Sequence, residues 1–252
     1  MNDPSISVFI IALNEENNLG RCLRSVSWAD EIVLVDSGST DKTIEMAREY
    51  TDKVFSRKFT NYADQKNFAL SLTAGPWCLS LDADEEVTPE LRDEIILAVK
   101  NPGSTSGYFI PRQSYIFGRK FYFTGTQHDR PMRLFKKTEA VFEQPVHETV
   151  KISGTTASLK NFLNHYTYKG LSDYMERLNR YTSLEADFLV QTGRATKGLD
   201  ISLKSILMFF RLFVMKQGFR DGLEGFIFSV LSGYYVFIKH AKHLEKLGCF
   251  RV

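Results

Sequence analysis

Residues 77–86 read Trp-Cys-Leu-Ser-Leu-Asp-Ala-Asp-Glu-Glu, an apolar run that ends in a cluster of acids. Two similar runs precede it: residues 31–36 read Glu-Ile-Val-Leu-Val-Asp, and residues 6–12 read Ile-Ser-Val-Phe-Ile-Ile-Ala. Apolar runs of this length, rich in β-branched residues, are typical of strands that are covered on both faces. Segments with helical spacing separate them, so the sequence predicts an α/β fold with a doubly wound, mostly parallel sheet.

The rest of the chain changes character twice. Residues 104–166 contain short aromatic and β-branched runs between turn residues, which predicts an extension of antiparallel strands and long loops. Residues 169–246 show helical spacing with little turn chemistry. We therefore expect one domain over residues 1–166 and a C-terminal helical appendage over residues 167–252.

Composition narrows the class of protein. The 252 residues are 43% hydrophobic and 25% charged, which excludes a disordered chain. The three cysteines are far apart and odd in number, so we expect reduced thiols.

The two parts of the chain differ in charge. Residues 1–100 carry 10 basic and 18 acidic side chains, and residues 101–252 carry 22 basic and 12 acidic ones. An acidic first part suits a metal ion, and a basic second part suits an anionic partner. The first residues lack a basic stretch followed by an apolar one, so we expect no secretion signal.

Polar residues follow three of the predicted strands at the same end. Asn14 follows the first, Asp36 the second, and Asp82 and Asp84 the fourth. Ligands of doubly wound sheets bind beyond the carboxyl ends of the strands, so we expect these side chains to share one crevice. Paired carboxylates there would be hard oxygen ligands for Mg²⁺ or Mn²⁺.

Each feature also has a structural explanation when it is taken alone. The Asp82–Asp84 pair fits an acidic turn, Asp36 fits an Asx turn, and Asn14 fits a helix N-cap.

Missing motifs disfavour two classes of enzyme. The first strand-to-helix turn lacks G-x-G-x-x-G, which disfavours a dehydrogenase, and no P-loop motif occurs, which disfavours a P-loop enzyme. A metal-dependent phosphohydrolase and a non-catalytic membrane-surface binding protein stay open as alternatives. Clustered acids at the crevice argue against nucleic acid as a partner.

Four motifs in order carry a resemblance to a known family. They are residues 10–16 (IIALNEE), 35–41 (VDSGSTD), 64–67 (DQKN) and 81–85 (LDADE). This set resembles glycosyltransferase family 2, whose members have a GT-A fold and use nucleotide-sugar donors. The region from Arg133 to Glu148, with the aromatic C-terminal helices, is similar to bacterial lipopolysaccharide-core β-1,4-glucosyltransferases.

The resemblance implies an inverting transfer of a hexose, with glucose expected, from a UDP-sugar to a cell-envelope acceptor. The acceptor would be a glycolipid or oligosaccharide, with or without phosphate groups, and Mn²⁺ or Mg²⁺ would be the cofactor. The roles implied are these: Ala12, Asn14 and Asp36 hold the uridine; Asp64 and Lys66 lie near the base or phosphates; Asp82 contacts ribose or metal; Asp84 binds the metal.

An inverting transfer also needs a base that accepts the proton of the acceptor hydroxyl. We predict Glu148 for this role, with Asp129 as the rival, and His147 as a further metal ligand or phosphate contact. A basic run surrounds them, from which Arg133 is predicted to reach the active site. His165 is expected to be structural.

The C-terminal helices suggest a location for the protein. Leu203, Ile206, Leu207 and Phe210 recur at helical spacing, with Lys204 and Arg211 among the polar positions. Residues 225–238 carry no charge, but 14 residues are fewer than the roughly 20 that span a bilayer. A basic, aromatic amphipathic segment suits the inner face of the cytoplasmic membrane, with a packed helix pair or a dimer contact as the alternative.

Overall fold

A computed structural model describes residues 5–144, 149–196 and 198–249. The chain divides into two compact units. The first comprises the residues up to Arg112 together with Asp129–His165, and the second comprises Gln113–His128 together with the residues from Tyr166 onward.

Strands form most of the first unit. In chain order the strands of the described residues are β1 (Ile6–Ala12), β2 (Glu31–Asp36), β3 (Val54–Ser56), β4 (Trp77–Asp82), β5 (Glu85–Val87), β6 (Thr105–Phe109), β7 (Arg112–Ile116), β8 (Arg119–Lys120), β9 (Met132–Lys136), β10 (Ala140–Glu143), β11 (Thr149–Ile152), β12 (Thr155–Ser158) and β13 (Leu163–Tyr168). The helices are α1 (Leu19–Ser25), α2 (Thr43–Arg48), α3 (Tyr62–Leu72), α4 (Pro89–Lys100), α5 (Leu171–Gln191), α6 (Gly198–Phe210) and α7 (Gly222–Lys246).

The central sheet has seven strands in the order β12-β6-β9-β4-β1-β2-β3. Strands β4, β1, β2 and β3 run parallel to one another, which confirms the predicted α/β fold with a mostly parallel sheet. β9 runs antiparallel between β4 and β6. Strands β6, β9 and β12 come from the region predicted as an extension of antiparallel strands, but they complete this sheet, and β12 pairs with β6 in parallel. Short runs do not reveal their partners, because pairing depends on tertiary context.

The alternation of side chains along β1 builds two core layers. Val8 and Ile10 belong to the cluster that includes Leu19 and Leu23 of α1, whereas Phe9 belongs to the cluster on the other face. Successive side chains of a strand point to opposite faces, so a strand covered on both sides must be apolar throughout. This is why β1, which lies inside the sheet between β4 and β2, reads as an apolar run.

Short polar loops connect the strands to the helices. α4 begins with Pro89 in its first turn, and the Thr88 hydroxyl accepts a hydrogen bond from the backbone N–H of Leu91 at 3.2 Å. This cap satisfies one of the amide groups that every helix leaves open at its N-terminus.

Helices dominate the second unit. α6 continues into a π-helical turn over Arg211–Met215, and Gln217 then takes a left-handed conformation with φ of 57°. Asp221, just before α7, accepts hydrogen bonds from the backbone N–H of Tyr122 and from the Thr124 hydroxyl, both in the same unit. Within the described ranges, no helix is both long enough and apolar enough to cross a membrane.

Candidate active site

Three residues singled out from the sequence lie side by side at one edge of the sheet. In the register of the parallel pairs, Ala12 of β1 is opposite Asp36 of β2, and Ile11 is opposite Asp82 of β4. All three strands end at this edge because they run in the same direction. The expected convergence of Ala12, Asp36 and Asp82 at the carboxyl ends is therefore present in the structure.

Asp36 is fully buried and only partly satisfied. Its Oδ2 accepts from the backbone N–H groups of Gly38 at 2.8 Å and Ser39 at 3.0 Å, which is the Asx turn considered from the sequence. Gly38 has φ of 101°, a conformation that favours glycine. The other oxygen, Oδ1, has no hydrogen-bond partner among the described residues.

Gln65 of α3, which sequence reasoning missed, adds a second open acceptor. Its Nε2 donates to the Ser37 hydroxyl at 3.1 Å, and its buried Oε1 has no partner in the described part of the chain. Buried acceptors without donors are rare in native proteins and need an explanation. Asp36 Oδ1 and Gln65 Oε1 are therefore two hydrogen-bond acceptors, both close to Ser37, that a ligand with N–H or O–H groups can satisfy.

Asn14 does not cap the first helix, which corrects one reading of the sequence. α1 begins at Leu19, and Asn14 has a left-handed backbone with φ of 55°. Its Oδ1 accepts from the backbone N–H of Thr40 at 2.8 Å, and its own N–H donates to the Ser39 hydroxyl at 2.8 Å. Asn14 therefore ties the loop after β1 to the loop after β2, which helps to hold the edge of the sheet.

A cluster of buried charges lies beneath this edge. The Asp82 carboxylate pairs with Lys66 Nζ at 2.8 Å through Oδ1 and with Arg133 through Oδ2. Glu85 Oε1 accepts from Arg133 Nη2 at 2.6 Å and from Arg112 Nη1 at 3.1 Å. Glu85 Oε2 accepts from the backbone N–H of Asp82 at 2.9 Å. Three cations thus surround two carboxylates in a connected network.

The network keeps Asp82 and Arg133 charged. Packing around the Asp82 carboxylate raises its pKa, but the charges of Arg133 and Lys66 outweigh this and hold the pKa well below its usual range. Burial lowers the pKa of Arg133, and the carboxylates of Asp82 and Glu85 more than compensate, so that its pKa is raised. Asp82, Lys66 and Arg133, predicted as donor contacts, therefore bind each other in this structure.

Asp84 faces a histidine that the sequence did not single out for function. Its side chain is mostly buried, and Oδ1 lies 3.6 Å from His165 Nε2. His165 belongs to β13, which pairs with β5 in the register His165 opposite Glu85. We expected His165 to be structural, because no local motif marks it. Strand pairing between residues 80 positions apart brings it to the acids.

The predicted metal ligands are Asp84, Asp82 and His147. Asp82 is held by two cations, and His147 lies outside the described residues. Among the described residues, no group of three His, Cys, Asp or Glu side chains is arranged to hold a metal ion. The metal site therefore stays a prediction, with Asp84 and His165 as the described pair of donors that fits it.

Of the two predicted bases, one is described. Asp129 Oδ2 accepts from Arg112 Nε at 2.8 Å and Nη2 at 2.6 Å, so Arg112 links Asp129 to Glu85. Glu148 lies outside the described residues. Its role as the base stays a prediction.

Asp64 lies at the start of α3 with other partners than those expected. It pairs with Arg57 Nη2 at 3.0 Å, and its pKa is lowered first by the hydrogen bond from Thr60 and then by Arg57. Its side chain is 38% exposed, unlike the buried Lys66 two residues later. The predicted contact of Asp64 with a base or phosphate stays a prediction.

Cys22 of α1 lies against the backbone of Asp82, next to the charge cluster. Its thiol lies 3.6 Å from the carbonyl oxygen of Asp82 and is fully buried. Burial, with the negative charges of Glu85 and Asp84, raises the pKa of this thiol well above its usual value. Cys22 is therefore held as a neutral thiol.

Comparison with known proteins identifies the family. Residues 7–167 match the profile of Glycosyl transferase family 2. The lipopolysaccharide core biosynthesis glycosyltransferase LpsC of Rhizobium meliloti is 31% identical over 249 residues, which cover 96% of this chain and 92% of that protein. An uncharacterized glycosyltransferase of Rickettsia felis is also 31% identical, over 96% of this chain and 90% of that protein.

A solved structure agrees on the fold. Glucosyl-3-phosphoglycerate synthase of Mycobacterium tuberculosis superposes with a TM-score of 0.50 at 16% identity, over 77% of this chain and 81% of that one. Together with the profile match and the similarity to LpsC over nearly the whole of both chains, this leads to one conclusion: the chain belongs to glycosyltransferase family 2 and has a GT-A fold.

Proposed function

We propose that this glycosyltransferase moves a hexose, expected to be glucose, from a UDP-sugar to a lipopolysaccharide-core or related cell-envelope acceptor. The similarity to LpsC, a lipopolysaccharide core biosynthesis enzyme, over nearly the whole of both chains supports this acceptor class. The transfer proceeds with inversion, by a single displacement at the anomeric carbon.

The observation that carries the donor assignment is the pair of open acceptors at the sheet edge. Asp36 Oδ1 and Gln65 Oε1 are buried and have no partner in the described part of the chain. A uridine supplies an N–H on its base and O–H groups on its ribose, which would satisfy such acceptors. Leaving them unsatisfied costs about 1–3 kcal/mol each, so a nucleoside with matching donors gains that much in binding.

The donor's diphosphate calls for a divalent ion, Mn²⁺ or Mg²⁺. The Mycobacterium tuberculosis synthase of the same fold was crystallised with Mn²⁺ and UDP. In this chain, the carboxylate of Asp84 and the imidazole of His165 are donors that suit such an ion, and the adjacent Asp82 is already neutralised by Lys66 and Arg133. The ion would offset the negative charge that develops on the leaving diphosphate.

The chain's own groups would perform the proton transfer. Glu148 accepts the proton of the acceptor hydroxyl as that oxygen attacks the anomeric carbon, and UDP leaves from the opposite face. Asp129 is the weaker candidate, because a forked contact from Arg112 already engages one of its oxygens.

The acceptor's lipid anchor places the enzyme at the inner face of the cytoplasmic membrane. Support comes from a row of side chains on the second unit that are about half exposed: Leu203, Ile206, Leu207 and Phe210 of α6. Contiguous exposed apolar surface of this kind marks an interaction site. The polar positions beside this row include the basic residues Lys204 and Arg211, and a basic amphipathic helix of this kind suits the membrane interface.

Calorimetric titration of UDP with and without Mn²⁺ tests the donor and the ion together. We expect UDP to bind more tightly with Mn²⁺, Asp84→Asn to lose the Mn²⁺ dependence, and Asp36→Asn to weaken UDP binding in both conditions. Asp93→Asn, which removes an exposed carboxylate on α4, is the matched control. Equal UDP affinity in Asp84→Asn and the wild type with Mn²⁺ would refute the metal assignment.

A second experiment tests the sugar and the acceptor. Mass analysis of the core glycolipid from a strain that lacks the gene should show a product shorter by one hexose, restored by the wild-type chain. Transfer assays with a panel of UDP-sugars identify the donor, and UDP-glucose is expected to give the highest turnover. A glycolipid of unchanged mass would contradict the proposed acceptor.

A further inference from the structure

The second unit contains a cavity of about 460 Å³ that the proposed transfer reaction does not use. It lies among residues of the α5–α6 connection, α6 and α7. Four cations line it: Arg194, Lys204, Arg211 and Lys239. No acid is found among its described lining residues.

Two of these four cations have no acidic partner among the described residues. Within the described part of the chain, neither Arg194 nor Arg211 forms an ion pair, whereas Lys239 pairs with Glu185 at 3.0 Å. The sequence shows the same excess, because residues 191–220 contain six Lys and Arg and one Asp. Cations that converge on one cavity repel each other, so the site favours an anion.

The remaining walls of the cavity are apolar or hydrogen-bonded. Leu207 and Met208 of α6 contribute hydrocarbon surface. On the polar wall, the Thr196 hydroxyl lies 2.9 Å from His240 Nδ1 and 2.7 Å from His243 Nδ1. One hydroxyl proton serves only one of these nitrogens, so at least one imidazole donates to Thr196. The arrangement fixes the side chain of Thr196 beside the four cations.

The cavity opens beside the exposed apolar row of α6. Lys204 and Arg211 are seven residues apart and lie on one face of the helical segment, and the exposed Leu203 and Phe210 each adjoin one of them in sequence. Leu207 belongs both to the cavity and to the apolar row. Charge for an anionic head and hydrocarbon surface for a chain are therefore side by side.

We propose that this cavity binds the phosphate-bearing headgroup of an anionic lipid, whose acyl chains lie along the exposed row of α6. Arg194 and Arg211 provide the bidentate donors that suit phosphate oxygens, and Lys204 and Lys239 add point charges. The inference rests on the proposed membrane association, which it deepens by assigning a headgroup site. It is independent of the UDP site in the first unit.

The test is binding of the full chain to vesicles. Phosphatidylcholine vesicles that contain phosphatidylglycerol are compared with pure phosphatidylcholine vesicles in a flotation assay, for the wild type and for Arg194→Gln/Arg211→Gln. Each cation at an anionic surface contributes roughly a factor of five in affinity, so the double variant should bind the anionic vesicles about 30-fold more weakly. Its UDP affinity and melting temperature should be unchanged.

A matched variant separates a site from diffuse attraction. Lys169→Gln/Arg180→Gln removes the same charge from exposed positions of the second unit that do not line the cavity. We expect it to retain most of the affinity for anionic vesicles. An equal loss in both double variants would overturn the cavity as the binding site and leave only general electrostatic attraction.

A titration with inorganic phosphate distinguishes the two sources of the anion. If a lipid is the ligand, phosphate alone binds far more weakly than the vesicles and releases the chain only at high concentration. Tight phosphate binding that the Arg194→Gln/Arg211→Gln variant loses would support the cavity but overturn the lipid as its occupant. If the wild type binds no vesicle, the proposed membrane association fails, and absence of phosphate binding as well would overturn the site.

Discussion

The sheet edge of the first unit and the helical face of the second unit treat charge in opposite ways. At the sheet edge, Lys66, Arg112 and Arg133 are buried or nearly so, and each has a carboxylate partner among Asp82, Glu85 and Asp129. On the second unit, Arg194 and Arg211 have no such partner among the described residues, and apolar side chains stay exposed beside them. In the first region, each of these cations is paired with a carboxylate of the protein, whereas Arg194 and Arg211 in the second region are not paired with any described acid.

The difference indicates what each region does. A network in which every charge is paired gives rigid geometry, since four of its members have two charged partners each: Asp82, Glu85, Arg112 and Arg133. An exposed face with excess cations and apolar surface gains free energy only when a partner covers it. We therefore expect substitutions in the first region to change folding or catalysis, and substitutions in the second to change association.

The largest effect is expected for the predicted base. Glu148→Gln removes the proton acceptor but keeps the shape, so turnover should fall about 10²–10⁴-fold with UDP affinity unchanged. Initial-rate assays and UDP titration measure the two quantities. Asp129→Asn is the comparison, and we expect a smaller loss. A larger loss for Asp129→Asn would transfer the role of base to Asp129.

Glu85→Gln tests how much the ion-pair network of Asp82, Glu85 and their cations stabilises the first unit. It leaves Arg133 and Arg112 near each other without their shared carboxylate, so the free energy of unfolding should fall by about 3–5 kcal/mol. Urea denaturation followed by circular dichroism measures the change. Glu86→Gln, one residue further along and less buried, is the control. A loss below about 1 kcal/mol for Glu85→Gln would contradict a network that stabilises the first unit.

The pH dependence of stability reports on Asp82. Its pKa in the folded state is lowered, so the ionised carboxylate stabilises the fold fully above its unfolded pKa of about 3.9. This contribution is lost as the pH falls through the folded pKa. Asp82→Asn should therefore be about 2 kcal/mol less stable than the wild type at pH 7, a reduced figure because Asp82 is partly exposed, and the difference should shrink below pH 4.

Urea denaturation of both proteins across this pH range provides the measurement. The aspartate variant Asp93→Asn, which lacks buried partners, should show no such trend. A stability difference that stays constant down to the most acidic condition would mean that Asp82 does not titrate with a lowered pKa.

The smallest effect on stability is expected on the second unit. Ile206→Ser/Phe210→Ser replaces half-exposed apolar side chains, so the free energy of unfolding should change by no more than about 0.5 kcal/mol per site. Binding to vesicles should fall markedly all the same. Thermal unfolding and flotation measure these two outcomes. A large loss of stability would show that the apolar row is packed against the protein rather than open to a partner.

The parallel part of the fold could be predicted from the sequence because its signals are local. Apolar runs mark β1, β2 and β4, and their shared direction brings Ala12, Asp36 and Asp82 to one edge. The positions of β6, β9 and β12 in the same sheet could not be predicted, because pairing is a contact between distant segments. Register, unlike periodicity, leaves no mark in a single short run.

The interaction partners of the site residues could not be predicted from the sequence either. Lys66 was expected near the nucleobase or phosphates and Asp82 near ribose or metal; their pairing with each other across 16 positions was not predicted. His165 belongs to no motif, and Gln65, although it lies within the 64–67 motif, was given no role; only tertiary contacts bring them to Asp84 and Ser37. Residue type indicates which chemistry is available, but the balance of charges that fixes each partner is a property of the folded chain.

The environment of Cys22 has a practical outcome for labelling. With Cys22 and Cys78 both buried and their pKa values raised, neither forms a thiolate readily at neutral pH. Cys249, by contrast, is exposed near the end of the helical unit. A maleimide dye should attach there alone in the wild-type chain, so a fluorescent reporter for the lipid experiments requires no engineered cysteine.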